Sequence, residues 1–331
     1  MARTLFMNYS EFFKKFFIIL FSLLMLFLFV EINLRIFAGF LKEGEITAIT
    51  GNDTFNIICL GDSFTYGVGV DRTDSYPNQL EKILNQKESG LRFRVINLAV
   101  PGANSSQHLK YLKQILKGSC GEAVDLIIVL TGANDSWNLA DSNISKIIER
   151  KRNRDNNGRN GGAEEYTEEI IGKGTINYRL SLADKINIFL FKLRTYKMLK
   201  LIYLNIKGRN ISPEADRFEQ IPAYEGRDVR VLKDLLRYNL SRIVETAKKY
   251  GKHIILHNYP RGDLYGDNIT EEVAEHYKIP FVDNASVFNS LLKDKSFSDL
   301  FIYDNSHPNS YGYKIMAGNL YTIIRKVIRV K

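Results

Sequence analysis

The stretch that most constrains the fold is Asn56-Ile57-Ile58-Cys59-Leu60-Gly61-Asp62-Ser63-Phe64-Thr65-Tyr66-Gly67. An apolar run of strand length, closed by glycine and small polar residues, fits an interior strand covered on both faces. In an open α/β sheet, ligands are met just past the carboxyl ends of the strands, and Ser63 stands there. Gly-Asp-Ser also occurs at helix starts, where a serine caps the first turn. What the rest of the chain supplies decides between these roles.

The pattern recurs. Strands are predicted at about 55–61, 93–99 and 124–130, with helices over 77–84 and 105–117 between them. After a break, a helix at 228–250 leads to a strand at 253–259, a helix at 270–277, a short strand at 280–283 and a last helix at 310–330. Alternating strands and helices of this kind predict a parallel sheet with helices on both faces. No internal repeat is visible.

Three segments fall outside that pattern. Phe16–Val30 is apolar except for Ser22, and Arg3, Lys14 and Lys15 precede it. With its extension to Phe37 the run reaches the ~20 residues of a membrane span. It lacks a small-x-small cleavage site directly afterwards, which favours an uncleaved anchor over residues 1–39. The basic flank favours a cytoplasmic N-terminus with the remainder outside, against Arg35 and Lys42 on the other side of the run. Residues 40–54 form a polar linker, and 55–331 a single domain carrying an insertion at 137–227. Within that insertion, 150–162 is polar and glycine-rich and reads as a surface loop. Residues 179–209 are apolar and basic: Arg179, Lys185, Lys192, Arg194, Lys197, Lys200, Lys207 and Arg209 stand against Asp184 alone, a net +7. Such a stretch lies on an anionic membrane, covers a site as a lid, or packs on the core with its lysines solvated.

The whole-chain charge of +9 comes without a zinc-ligand pattern, an RNA-binding signature or a long arginine run, so no nucleic-acid partner is expected. Cys59 and Cys120 are predicted at opposite ends of neighbouring strands, roughly 20 Å apart at ~3.3 Å per residue. That is too far for a disulfide.

Nucleophilic acyl transfer needs a hydroxyl or thiol, an imidazole to take its proton, a carboxylate to orient the imidazole, and donors for the oxyanion. Before the last helix lies Tyr303-Asp304-Asn305-Ser306-His307-Pro308. A carboxylate three residues before a histidine on a loop can turn back onto Nδ1 and leave Nε2 for the serine. Of the other histidines, His108 and His276 fall in predicted helices, and His253 and His257 in a strand. Gly102 follows the second strand, where the lack of Cβ lets its N–H approach a substrate oxygen. Asn134 follows the third, and its side-chain amide is a donor that does not titrate. Each has a plainer reading, a turn glycine and an Asn-Asp turn, but all fall at strand ends of one sheet.

These blocks resemble the SGNH (GDSL-type) hydrolase family. Gly61-Asp62-Ser63-Phe64 is similar to its first block, with Phe where Leu is common. Gly102 in Asn97–Gly102, Gly132-Ala133-Asn134-Asp135, and Asp304–Pro308 match the second, third and fifth, in family order. The resemblance covers about 55–135 and 230–330. It implies a three-layer α/β/α, flavodoxin-like fold with a five-stranded parallel sheet, beside the N-terminal transmembrane helix. It also implies Ser63 as nucleophile, His307 as base and Asp304 as its orienter, with Ser63 N–H, Gly102 N–H and the Asn134 side chain as oxyanion hole. The expected activity is hydrolysis of short-chain acyl esters, with no metal and no cofactor. An O-acetyltransferase acting on envelope polysaccharide, a catalytically silent binding protein of the same fold, and a lipase docked through 179–209 are the alternatives. The Gly-x-Ser-x-Gly elbow of α/β-hydrolases is absent, since position 65 is Thr.

Overall fold

The computed structural model describes residues 2–47, 54–118, 120–135, 142–143, 229–262, 268–302, 304 and 306–328, with 186, 189–190, 193–196, 198–199 and 202. The expected loop at 150–162, and all of 137–227 apart from these scattered positions, lie outside the described residues.

The element order is α1 (Ala2–Thr47), β1 (Thr54–Gly61), α2 (Ser63–Tyr66), α3 (Tyr76–Lys87), β2 (Arg92–Asn97), α4 (Ser105–Lys117) and β3 (Leu126–Leu130). It continues with α5 (Val229–Lys249), β4 (His253–His257), α6 (Ile269–Tyr277), β5 (Phe281–Val282), α7 (Asn284–Leu291), α8 (Phe297–Leu300) and α9 (Ser310–Ile328). The five strands form one sheet in the order β2-β1-β3-β4-β5, and every pairing is parallel.

The period-two alternation of β1 divides the core. Ile58 and Leu60 join Ile127, Val129, Ile254 and Leu256 beneath α4, α5 and α6. Ile57 and Cys59 face the other way, with Ile128, Leu130 and Ile255, beneath α3, α7 and α9. This is the expected three-layer arrangement, a sheet buried on both faces. Helices α7 and α8 were not foreseen. The first starts where Asp283 accepts the Ser286 N–H at 3.1 Å and buries Phe288 completely. No disulfide joins Cys59 and Cys120.

At the N-terminus the helix runs on to Thr47, through the first half of the stretch expected to be a linker. Residues 42–47 are polar apart from Gly44 and Ile46, and none is proline, so the established helix is not broken there. Glu11–Ile36 is long and apolar enough to cross a membrane, with a mean hydropathy of 2.5. Its large side chains face outward, Phe17 being 62% and Phe29 65% exposed, unlike those of a core helix.

Candidate active site

The site is assembled at the carboxyl ends of β1, β2 and β3 and on the loop before α9. At the end of β1 the chain turns directly into α2. Only glycine fits at position 61, because a Cβ there would lie 1.9 Å from Thr65 Oγ1 and 3.0 Å from the Leu130 carbonyl oxygen. Asp62 is the N-cap of α2, its Oδ1 accepting the Phe64 N–H at 3.0 Å. The capping role open to Ser63 in the sequence is therefore taken by its neighbour. Ser63 becomes the first residue of the helix with its hydroxyl available. Gly67 closes the turn at φ 89°, its N–H bonded to the Ser63 carbonyl.

That hydroxyl meets the loop before α9. Ser63 Oγ lies 2.8 Å from His307 Nε2, and His307 Nδ1 lies 2.5 Å from Asp304 Oδ2. Asp304 Oδ1 also accepts the backbone N–H groups of Ser306 at 2.9 Å and His307 at 2.8 Å. Burial alone would raise the Asp304 carboxyl, but the hydrogen bond to His307 and those backbone donors outweigh it and hold the group below its usual range. The loop is fixed on either side of His307. Ile302 N–H donates to the His307 carbonyl and Asn309 N–H to that of Leu300. Gly312 lets the start of α9 press on Leu300, whose carbonyl oxygen would sit 2.3 Å from any Cβ there.

Phe64 stacks on the His307 ring at 4.2 Å between centroids and 24° between planes. Tyr259 meets the Phe64 ring edge-on at 4.9 Å. Phenylalanine at the position where the motif commonly has leucine thus gives the imidazole a flat support.

The other ends of the sheet are laced to the same point. Beyond β2 the chain keeps bonding to β1, with Leu98 N–H to the Cys59 carbonyl and Val100 N–H to that of Gly61, before Gly102 turns at φ 76°. Asn97 Nδ2 donates to the Thr65 carbonyl at 2.8 Å. At the end of β3, Asn134 is 7% exposed. Its amide donates to Asp62 Oδ2 at 3.1 Å and to the Ala103 carbonyl at 2.9 Å. One side chain therefore joins the residue before Ser63 to the residue after Gly102, and both its hydrogens are in use. The structure thus brings Ser63, His307 and Asp304 into one hydrogen-bonded line and ties Asn134 to the segments that carry Ser63 and Gly102.

Sequence reasoning missed the support beneath this line. Asp62 is fully buried and accepts from Tyr259 Oη at 2.8 Å as well as from Asn134 and Phe64. Burial pushes its carboxyl up to about 6 against those hydrogen bonds. Asp135 receives the Ser105 N–H and hydroxyl, both at 2.7 Å, and burial pushes it up to about 7. Behind α2, Asn284 Nδ2 donates to His257 Nδ1 at 3.1 Å, so the ring proton sits on Nε2, 3.2 Å from Tyr76 Oη. The tyrosine hydroxyl then donates to Thr65 Oγ1 at 3.1 Å. Burial pushes His257 down to about 3 and His108 down to about 4, which keeps both neutral. Of the remaining histidines, His253 and His276 are exposed. Short sequence spacing could have flagged only Asp62; Tyr259, His257 and Tyr76 reach the site from far along the chain.

A serine, a histidine and an aspartate stand in line at the carboxyl edge of this parallel α/β sheet, a constellation that recurs among serine hydrolases. The chain belongs to the GDSL-like Lipase/Acylhydrolase family, which matches residues 57–320, and it is an ester-bond hydrolase of that kind. No curated protein matches it. Among solved structures it is similar to Axe2, an acetylxylan esterase from Geobacillus stearothermophilus, at 18% identity and a TM-score of 0.45, over 82% of this chain and 94% of that one. It is also similar to the psychrotrophic esterase EstA from Pseudoalteromonas sp., at 14% identity and a TM-score of 0.45, over 83% and 98%.

Proposed function

We propose that the chain is a serine esterase for short acyl esters, with Ser63 as nucleophile, His307 as general base and acid, and Asp304 orienting His307. The observation that carries this reading is the continuous line from Ser63 Oγ through both His307 nitrogens to Asp304, with contacts of 2.8 and 2.5 Å. Ser63 Oγ attacks the ester carbonyl while Nε2 takes its proton. The proton then goes to the leaving alkoxide, which departs and leaves an acyl-Ser63 ester. Water attacks that ester, gives one proton to Nε2, and the carboxylic acid leaves as the proton returns to Ser63. The N–H groups of Ser63 and Gly102 and the Asn134 amide receive the oxyanion, Asn134 redirecting the hydrogen it otherwise gives to Ala103.

Residues 1–39 serve as a single-pass anchor for this domain, which faces away from the cytoplasm. The apolar, outward-facing surface of Glu11–Ile36 and the basic residues Arg3, Lys14 and Lys15 ahead of the apolar run support that reading.

The test uses the full chain in detergent with p-nitrophenyl acetate. Ser63→Ala and His307→Ala should each lower kcat by about 10³-fold or more, since members of a triad act as a unit. A fluorophosphonate should label the wild type and not Ser63→Ala. Turnover that survives Ser63→Ala would sink the assignment.

A further inference from the structure

The apolar run of α1 ends at Val30, and the next residue, Glu31, is only 6% exposed. Its carboxylate is occupied by a part of the chain more than 160 positions away. Oε1 accepts the Arg194 N–H at 2.9 Å, and Oε2 accepts the Thr195 N–H at 2.9 Å and the Thr195 hydroxyl at 2.5 Å. Arg35 Nε, one turn further along α1, donates to Oε1 at 2.8 Å. The backbone is helical at residues 194–196, 198–199 and 202. The first N–H groups of a helix lack partners within it and favour negative charge nearby. Glu31 supplies that charge from another helix and so fixes the start of this one against α1.

The depth of the junction follows from helix geometry. Residues 12–30 rise about 28 Å at ~1.5 Å per residue, close to the ~30 Å of a bilayer's hydrocarbon core. Lys14 and Lys15 reach the headgroups by extending their side chains. Glu31, Arg35 and the Arg194–Thr195 start then sit at the opposite hydrocarbon boundary.

From there Thr195, Met198, Leu199 and Ile202 follow the i, i+3, i+4, i+7 spacing of one helix face. Met198 is 39%, Leu199 57% and Ile202 45% exposed, and Phe189 just upstream is 62% exposed. The sequence among them is basic, with Lys192, Arg194, Lys197 and Lys200. Uncovered apolar residues beside a membrane span, interleaved with cations, match an amphipathic segment bound at an anionic bilayer surface.

We propose that the helical stretch bearing Met198, Leu199 and Ile202 lies in the headgroup–acyl boundary of an anionic bilayer, held at that depth by Glu31. Its apolar face is covered by lipid acyl chains. The proposal rests on α1 being a span, and it gives the protein a second membrane contact that a single anchor lacks.

The experiment uses the full chain in phosphatidylcholine–phosphatidylglycerol vesicles. Cys120→Ser removes the accessible thiol; Cys59 is fully buried and burial pushes its thiol up, so it does not label. A fluorophore is placed at Leu199→Cys, at Ile202→Cys, or at Lys249→Cys on the exposed side of α5. Doxyl-labelled lipid should quench the first two at least twofold and leave the third unchanged. Glu31→Ala should cut that quenching by about half, and so should omitting phosphatidylglycerol. Two outcomes overturn the proposal while α1 stays resistant to alkaline extraction. One is quenching at 199 and 202 by aqueous iodide but not by doxyl lipid. The other is shielding from both, which would mean that protein, such as a second copy, covers this face. Doxyl quenching unchanged in Glu31→Ala would remove the clamp. Loss of the whole chain in the alkaline wash would instead overturn the span, and this proposal with it.

Discussion

At the scale of single residues, the least obvious group is Asp62. It caps α2 and holds Tyr259 and Asn134 at the same time. In Asp62→Asn an amide N–H replaces one acceptor oxygen and faces two donors. Asn134 then loses the contact that aims it. We expect kcat to fall by about 10²-fold, in the range for removing one oxyanion donor, with KM little changed. Asn134→Ala should cost about 10²–10³. If the two act as one device, the double variant should be no slower than Asn134→Ala alone. Losses that multiply would mean that Asp62 and Asn134 act separately, and steady-state kinetics on all four proteins decides it.

At the scale of elements, two junctions set the site. Gly61→Ala forces a methyl group into Thr65 and must displace α2. Overpacking of this kind costs about 1–3 kcal/mol. Activity should fall further than the urea midpoint implies, because α2 carries Ser63. The second junction is electrostatic. Asp135, at the end of β3, takes the Ser105 donors at the start of α4 and is raised from an ordinary value of 3.8 to about 7; Asp62 is raised to about 6. Between about pH 4 and 7 the folded chain holds protons that the unfolded chain has lost. These two groups therefore contribute most below about pH 4, and that contribution disappears as the pH rises to 7. His257 and His108 act in the opposite sense: their values are depressed, so their contribution is present above about 6.5 and is lost as the pH falls toward 4 and then 3. From pH 6 to pH 7.5 the loss from the two carboxyls and the gain from the two histidines nearly cancel, so urea midpoints should change little, and Asp135→Asn should turn this into a rise. An unchanged slope would show that Asp135 is ionised in the native state throughout. The strands, their order of appearance and the residues at their ends were legible in the sequence because burial on both faces writes continuous apolar runs and glycines mark their exits. The supports were not. Tyr259 to Asp62, Phe64 to His307 and His257 to Tyr76 are contacts across the sheet with no local spacing to announce them. Helix α7 is short and made of residues such as Asn and Ser that do not favour helix; its Asp283 cap was the one available signal.

For the whole molecule, α1 and the catalytic sheet are joined by only a few residues after Thr47. Full-length protein expressed in cells should stay with membranes through alkaline carbonate and leave them only with detergent. Recovery in the carbonate supernatant would refute the anchor. Esterase activity should sediment with the same fraction. The direction of the sheet has a further consequence. All strands run the same way, so each connection that leaves a carboxyl end leaves from the edge that holds Ser63. Residues 136–228 depart immediately after Asn134 and Asp135. Closing a longer loop costs only about 0.6 kcal/mol per doubling, whereas lengthening a strand or core helix disturbs close packing. Room for inserted sequence is therefore concentrated on the rim that holds Ser63, where it can change what surrounds the proposed catalytic line and leave the sheet as it is.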